Sequence, residues 1–385
     1  MRFGGIVSAT YKWQNHTLET GYWFEHNNFH QARRYYSLDA NSPADPLDFR
    51  SNPFFTQFEG KFQTLTKVFH VQDTWQALDN LKVNFGFKSM QVDIRGRTVV
   101  GVLAGGQISN DEPFLPQAGV VWTLGYGGEL FADYANNARA FTGAITAGPF
   151  STTQAGFDAI KGSLAPEKTN TFEGGYRYHK GPFEGLLAVY YVDFSNRLLS
   201  VQSGPAIVSK PSVLSNVGGV TGKGFEAAGT WRFMPNWSLF SSYSYNESTY
   251  NDDVKNGSGV VTMATRGKTT FDTPKNLAKI ELGYDDGAIF GTLGASYMSK
   301  RYYTYTNDNY VPSQTLVDLA LGYRAHVPNL KNTVDLTLNV TNLTDEKYIS
   351  TVGSGGIPAS DPNGTAQTLL PGAPRSVFVT ARTKF

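Results

Sequence analysis

Two short runs in this 385-residue chain place cationic and aromatic side chains next to one another in polar, turn-rich sequence. Arg33, Arg34, Tyr35 and Tyr36 stand together with His30 close by; Arg301, Tyr302, Tyr303, Tyr305 and Tyr310 form the second run. Arginine supplies directional donors and a permanent charge, and tyrosine supplies stacking area with a polar tip. Together they suit an anionic ligand with aromatic parts. A competing reading places Tyr302 and Tyr303 in an aromatic belt at a membrane surface. It explains the adjacent arginines of the first run less easily.

Other chemistries are poorly supplied. The absence of cysteine removes disulfides, zinc–thiolate sites and cysteine nucleophiles together. The six histidines (His16, His26, His30, His70, His179 and His326) show no compact metal-ligand spacing. His26 and His30 would align on a helix, but the segment has no helical pattern, so neither a metal site nor a cofactor is expected. Despite 40 glycines, no Gly-rich turn links a strand to a helix in the manner of a phosphate cradle. A net charge of +1 argues against a nucleic-acid partner. No Ser or Asp paired with His stands out near one rim, so an enzyme is not expected.

The elements that must carry the two runs are strands. Charged residues make up 17% of the chain against roughly 25% in ordinary domains. Aromatics reach 14%, with 26 Phe and 21 Tyr. Mean hydropathy is −0.30, and no stretch approaches the ~18 apolar residues of a membrane-spanning helix. Period-2 alternation recurs instead: Val334, Leu336, Leu338 and Val340 against Asp335, Thr337, Asn339 and Thr341, and Leu81, Val83, Phe85 and Phe87 against Lys82, Asn84, Gly86 and Lys88. These runs reach about ten residues, as expected of tilted strands crossing a bilayer. After Phe87 the apolar positions become Met90, Val92 and Ile94. That phase slip near Ser89 reads as a bulge, or as the point where the strand leaves the bilayer.

The links alternate between short turns, such as 79–80, 125–127, 179–182, 234–236 and 285–287, and long polar segments at 27–53, 97–113, 142–164, 202–215, 251–271, 300–311 and 349–372. Short turns on one side and long loops on the other mark an outer-membrane barrel rather than a sandwich. About fifteen strands are expected, near 3–13, 17–26, 56–77, 81–95, 115–124, 129–139, 167–179, 183–200, 217–233, 237–250, 273–285, 288–303, 312–326, 332–345 and 374–385. The last would end on Phe385, an aromatic at the membrane boundary. Counting back from an inward-running final strand puts residue 1 on the outer side, whereas bacterial barrels start on the periplasmic side. The expectation is the C-terminal portion of a larger barrel spanning 1–385, without a signal peptide or second domain.

Four segments resemble TonB-dependent outer-membrane receptors, in family order. Asn339-Val340-Thr341-Asn342-Leu343-Thr344-Asp345-Glu346-Lys347-Tyr348 resembles the penultimate strand, and Gly372-Ala373-Pro374-Arg375 the closing segment. Leu164-Ala165-Pro166-Glu167 with Glu173-Gly174-Gly175, and Asn216-Val217-Gly218 with Gly222, Gly224 and Glu226, resemble two central strands. Thr383 departs from the larger apolar residue often found there. The resemblance implies an all-β, antiparallel transmembrane barrel with about 15 of 22 strands, the plug domain absent. It further implies an integral protein of the bacterial outer membrane that takes up a scarce nutrient, a ferric siderophore first among them. The TonB complex would then be reached only through the missing plug. Glu167, Glu173 and Glu226 would line the lumen and touch substrate or plug, or pair with Arg and Lys across strands. Arg375 and Asp345 read as strand-end pairing or turn residues rather than ligand contacts. The alternatives are a passive outer-membrane porin and a truncated, non-functional receptor fragment.

Overall fold

The computed structural model describes residues 1–37, 51–145, 148–162, 164–201, 213–216, 218–255, 260–326, 333–353 and 356–383. Fifteen strands form one antiparallel sheet in strict chain order. They are β1 (Arg2–Trp13), β2 (His16–Tyr35), β3 (Phe55–Leu78), β4 (Leu81–Val100), β5 (Gly106–Gly125), β6 (Gly128–Arg139), β7 (Glu167–Lys180) and β8 (Phe183–Ser195). The second half holds β9 (Val220–Met234), β10 (Trp237–Tyr250), β11 (Asn276–Asp285), β12 (Ile289–Met298), β13 (Gln314–His326), β14 (Thr333–Thr341) and β15 (Ser376–Thr383). Phe385 lies outside the described residues.

Alternation decides which way each side chain points. On β8, Leu187 and Val189 are 58% and 63% exposed, while Ala188 between them is 5% exposed. Outward apolar residues continue around the sheet, including Phe172, Phe225, Ile280 and Leu321. Water does not favour an apolar face of that extent, and a lipid environment does. No helix among the described residues is long and apolar enough to cross a membrane, which says nothing of crossing by strands.

The inner face is concave enough for side chains to reach across an intervening strand. Gln117 on β5 donates to Gln72 on β3 at 2.8 Å, and Tyr190 on β8 donates to Asn246 on β10 at 3.1 Å. In a flat sheet next-nearest strands lie about 9.5 Å apart. The residue between each pair is a glycine, Gly86 in the first and Gly224 in the second. A Cβ at either would run into neighbouring backbone, so glycine is what permits the close approach.

Parts of two expected loops prove to be strand. β2 continues to Tyr35, so 27–35 is ladder; β4 and β5 leave only 101–105 between them where 97–113 was expected. The sequence pattern fades there because the strands rise past the apolar band, and outward positions no longer need apolar side chains. The slip near Ser89 has a related cause. β4 pairs with β3 in unbroken register through it, and the shift lies between β4 and β5, where Lys88 faces Leu115 but Met90 faces Glu112. Pro113 and Phe114 of β5 supply the extra residue, and Pro113 could not have donated to the ladder. Met90, Val92 and Ile94 stay on the inner face, where Val92 and Ile94 are buried with Phe62, Phe150 and Phe157. Phe150 and Phe157 come from the 140–166 link, whose described residues fold inward and carry a two-turn helix, α1 (Gln154–Ile160), capped by Thr153. That helix lies within the polar link expected at 142–164.

The inside–outside assignment makes a direct prediction. Since the chain has no cysteine, single-cysteine variants at Leu187, Val189 and Tyr190 give one probe each. A lipid-borne quencher should reach a fluorophore at 187 or 189 and not at 190. A soluble maleimide should show the reverse order.

Candidate functional site

The long links gather into packed structure on their side of the sheet. One core combines the upper parts of β3, β4 and β5 with the inward-folded 140–162 segment. A second combines Leu199, Val220, Tyr250, Val254, Tyr305 and Ile357 from four different links and strand ends. Burying apolar surface is what lets irregular segments hold a defined shape at the mouth of the sheet.

The second sequence run divides in this setting. Arg301 is 7% exposed; its guanidinium pairs with Asp272 at 2.8 Å and donates to the Ile349 carbonyl at 2.9 Å. It therefore ties the 299–313 hairpin to the 251–275 and 342–375 links. Burial pushes the Asp272 carboxyl up, against the pull of the Arg301 charge. Tyr305 is 2% exposed and packs edge-on against Tyr250 and Phe271. Burial raises its hydroxyl above the ordinary range, so it stays neutral. Tyr303 is buried as well. Tyr302 alone of the four reaches the surface, facing Tyr310, with the Lys300 ammonium 5.2 Å and 5.1 Å from the two ring centres. Lys300 joins Tyr302 and Tyr310 here, and its place beside Arg301 in the sequence is the signal for it.

Asp308 organises the same region. Thr304 and Ser360 hydroxyls and the Asp361 amide donate to its carboxylate. Burial alone would raise Asp308, but these donors hold it below its ordinary value. Asp361 in turn accepts from the amides of Thr365, Ala366 and Gln367. Each carboxylate thus replaces a stretch of regular backbone pairing.

The first run sits at the top of β2 rather than in a loop. Arg34 pairs with Glu59 at 3.0 Å, His30 takes the other oxygen of Glu59 at 3.0 Å, and Tyr35 donates to Gln57 at 3.1 Å. Tyr36 stands beside Arg34. The Arg33 guanidinium lies over the Phe58 ring at 5.2 Å and remains exposed. This run and the Lys300 cluster lie toward opposite ends of the sheet order.

Among the carboxylates on the inner wall, Glu167 pairs with Arg197 at 3.1 Å. Glu173 directly faces Asp133 across β6 and β7, and Glu226 accepts from Ser244 at 3.1 Å. Neither Glu173 nor Glu226 has an ion-pair partner among the described residues. The family-like segment after β14 is a backbone knot. Asn342, at φ 50°, donates to the carbonyls of Glu346 and Ala373 and accepts from the Glu346 amide. Asp345 accepts from the Arg375 amide at 3.0 Å, the strand-end role expected of that pair. Among the described residues no group of three or more His, Asp or Glu could hold a metal ion.

These features, a wide antiparallel sheet with an apolar outer face and a polar concave wall beneath packed loops, are those of a membrane β-barrel wall. The chain belongs to the TonB dependent receptor-like, beta-barrel family, whose model matches residues 2–343. It is similar to the probable TonB-dependent siderophore receptor PiuA of Acinetobacter baumannii, 23% identical over 249 residues, 61% of this chain and 30% of that protein. The ferrioxamine B receptor of Salmonella typhimurium is 27% identical over 198 residues, 50% of this chain and 26% of that protein. Among solved structures, the unliganded ferric citrate transporter FecA superposes with a TM-score of 0.72 at 16% identity, covering 99% of this chain and 53% of that one. PiuA from Acinetobacter baumannii gives 0.70 at 17% identity, with 99% and 55% covered. The chain therefore spans about half the length of these solved receptors.

The loop core yields a paired prediction. Arg301→Ala leaves Asp272 and the Ile349 carbonyl without their donor and should lower local stability by about 1–3 kcal/mol. Faster proteolysis within 299–313 and 342–375 measures it. Asp308 adds a pH dependence: a carboxyl held below its ordinary value of 3.8 contributes fully above that value. The contribution disappears as pH falls through the lower folded-state value. Protease sensitivity of these links should stay flat from about pH 7 to 5 and rise only below 3.8, and Asp308→Asn should remove the acid response.

Proposed function

We propose that this chain is the barrel portion of a bacterial outer-membrane TonB-dependent receptor that takes up a ferric siderophore or a chelate of the same chemistry. Family membership over residues 2–343 carries the reading, with relatives whose names specify siderophore and ferrioxamine B receptors. The loop architecture supports it. Cores at the mouth hold the links in shape while leaving Arg33, Lys300, Tyr302 and Tyr310 with accessible surface. A cation flanked by two tyrosines offers charge and stacking to an anionic chelate with planar groups. Arg34, Arg301, Tyr303 and Tyr305 then act by fixing the loops rather than by touching ligand.

The transport cycle is proposed for a protein in which this barrel works with a plug and, through it, with TonB. Glu173 and Glu226, inward and without cationic partners, would face the plug or the passing substrate. A self-closed porin is disfavoured because β1 and β15 do not pair with each other among the described residues.

Titration of the full-length protein with ferric chelates, followed by tryptophan fluorescence, tests the reading. At least one ferric siderophore should bind, and Lys300→Ala with Tyr302→Ala should weaken it by roughly 5- to 30-fold, taking about 1–2 kcal/mol for the lost cation–π contact. Failure of every ferric chelate class to bind would overturn the substrate assignment.

A further inference from the structure

The outward wall of β7 to β10 is hollowed at one level. Tyr178, Gly185, Gly229 and Ser241 follow one another across the four strands in register. Their row faces outward, since the exposed Phe183 and Leu187 stand one pleat to either side of Gly185 on β8. Phe183 pairs with Trp231 below the row, and Leu187 pairs with Ala227 above it, next to Tyr243. Side chains this small leave a trough of about 390 Å³, walled by Tyr176, Tyr178, Phe183, Leu187 and Tyr243. That volume lies inside the range of roughly 300–1,000 Å³ typical of ligand pockets. The Phe183 ring leans over the floor, where a Cβ on Gly185 or Gly229 would meet it at 3.1 Å or 3.3 Å. Glycine at both positions keeps the hollow open.

Polar groups around the trough identify what fills it. Lys180 stands one pleat below Tyr178 on the same face of β7, opposite Phe183. It is exposed, its ammonium lies 4.7 Å from the centre of the Tyr126 ring, and it makes no ion pair among the described residues. The nearby acid, Glu184, points to the inner face, where Arg232 and His179 hold it. The Tyr178 and Ser241 hydroxyls, at the two ends of the row, make no hydrogen bond among the described residues. Trp237 and Tyr284, with ring centres 4.8 Å apart, mark the aromatic girdle of the short-turn side. Tyr178 lies about 5 Å deeper than Lys180, taking about 3.3 Å per residue and about 45° tilt. A cation at the interface, hydroxyls slightly deeper and an apolar trough beside them follow in order. Phosphate, ester carbonyls and acyl chain follow in the same order in a glycerophospholipid.

We propose that the trough and Lys180 form a binding site for one glycerophospholipid of the inner leaflet, its phosphate on Lys180 and one acyl chain lying across Ala227 and Ser241. The inference rests on the outer-membrane placement and is independent of which chelate is transported. The lysine ammonium offers three donors to phosphate oxygens without imposing one geometry. The Tyr178 and Ser241 hydroxyls donate to the ester carbonyls, partners that hydrocarbon alone denies them. The chain gains dispersion contacts along aromatic walls that the small floor residues cannot reach themselves. Bulk lipid touches the whole outer wall, whereas this site holds a single molecule by head and chain together.

The test uses the full-length protein, delipidated in neutral detergent and followed by native mass spectrometry. Diacyl phosphatidylethanolamine, diacylglycerol and glycerophosphoethanolamine serve as separate additives, giving head with chains, chains alone and head alone. The wild type should retain one phosphatidylethanolamine and neither of the other two at the same concentration. Lys180→Gln should weaken retention by about ten-fold, the loss of a charge-assisted contact. Ala227→Phe, which fills the trough and leaves Lys180 in place, should abolish it. Equal retention by wild type and Lys180→Gln, uptake that does not saturate at one molecule, or diacylglycerol binding as well as the phospholipid would overturn the proposal. Lys180 is exposed at a turn, so its variant keeps the test decisive should Ala227→Phe fail to fold. Ferric-chelate binding measured on the same samples separates the two readings. Its failure with lipid retention intact counts against the transport assignment alone, and the reverse counts against the lipid site alone.

Discussion

A bilayer offers no water to an unpaired peptide group, so every N–H and C=O of a spanning segment must be satisfied by protein. That constraint explains the strict neighbour-to-neighbour order of the fifteen strands and the short turns on one side. It also bears on the position of one of the irregular ladders. The bulge between β4 and β5 falls at Pro113, which cannot donate, and where outward positions turn polar. Alternation of side chains then assigns two solvents to one sheet, with lipid outside and a polar concave interior. Glycines at Gly86 and Gly224 let the inner side chains bridge over them.

Above the band the constraint relaxes and a different economy takes over. The links are too long to be satisfied by ladder pairing, so they build small cores and use carboxylates as backbone acceptors. Asp308 and Asp361 each collect donors that would otherwise face water or nothing. Arg301 joins three links at once. Rigidity at the mouth matters for binding because ordering loops at the moment of contact would subtract from affinity.

Much of this was legible in residue order. A period of two has only one strand solution, so the fold class and the number of sheet strands could be read from local pattern. The Asn342–Asp345 turn could not: a strand was expected through 345, whereas the ladder stops at Thr341 and a turn follows. Strand tops could not, since β2 near Arg33 and β5 near Gln107 carry polar residues on both faces, a pattern shared with loops. The candidate site was only half legible for the same reason. Arg301, Tyr303 and Tyr305 look identical to Tyr302 and Tyr310 in sequence, and only long-range contacts with Asp272, Tyr250 and Phe271 put them inside. The row of Tyr178, Gly185, Gly229 and Ser241 lies in register across four strands, not in any one of them. The sequence by itself determined periodicity and therefore the sheet. The tertiary structure alone decided which charged and aromatic side chains are buried, paired or left facing a partner, because burial is a property of what other segments bring to the same place.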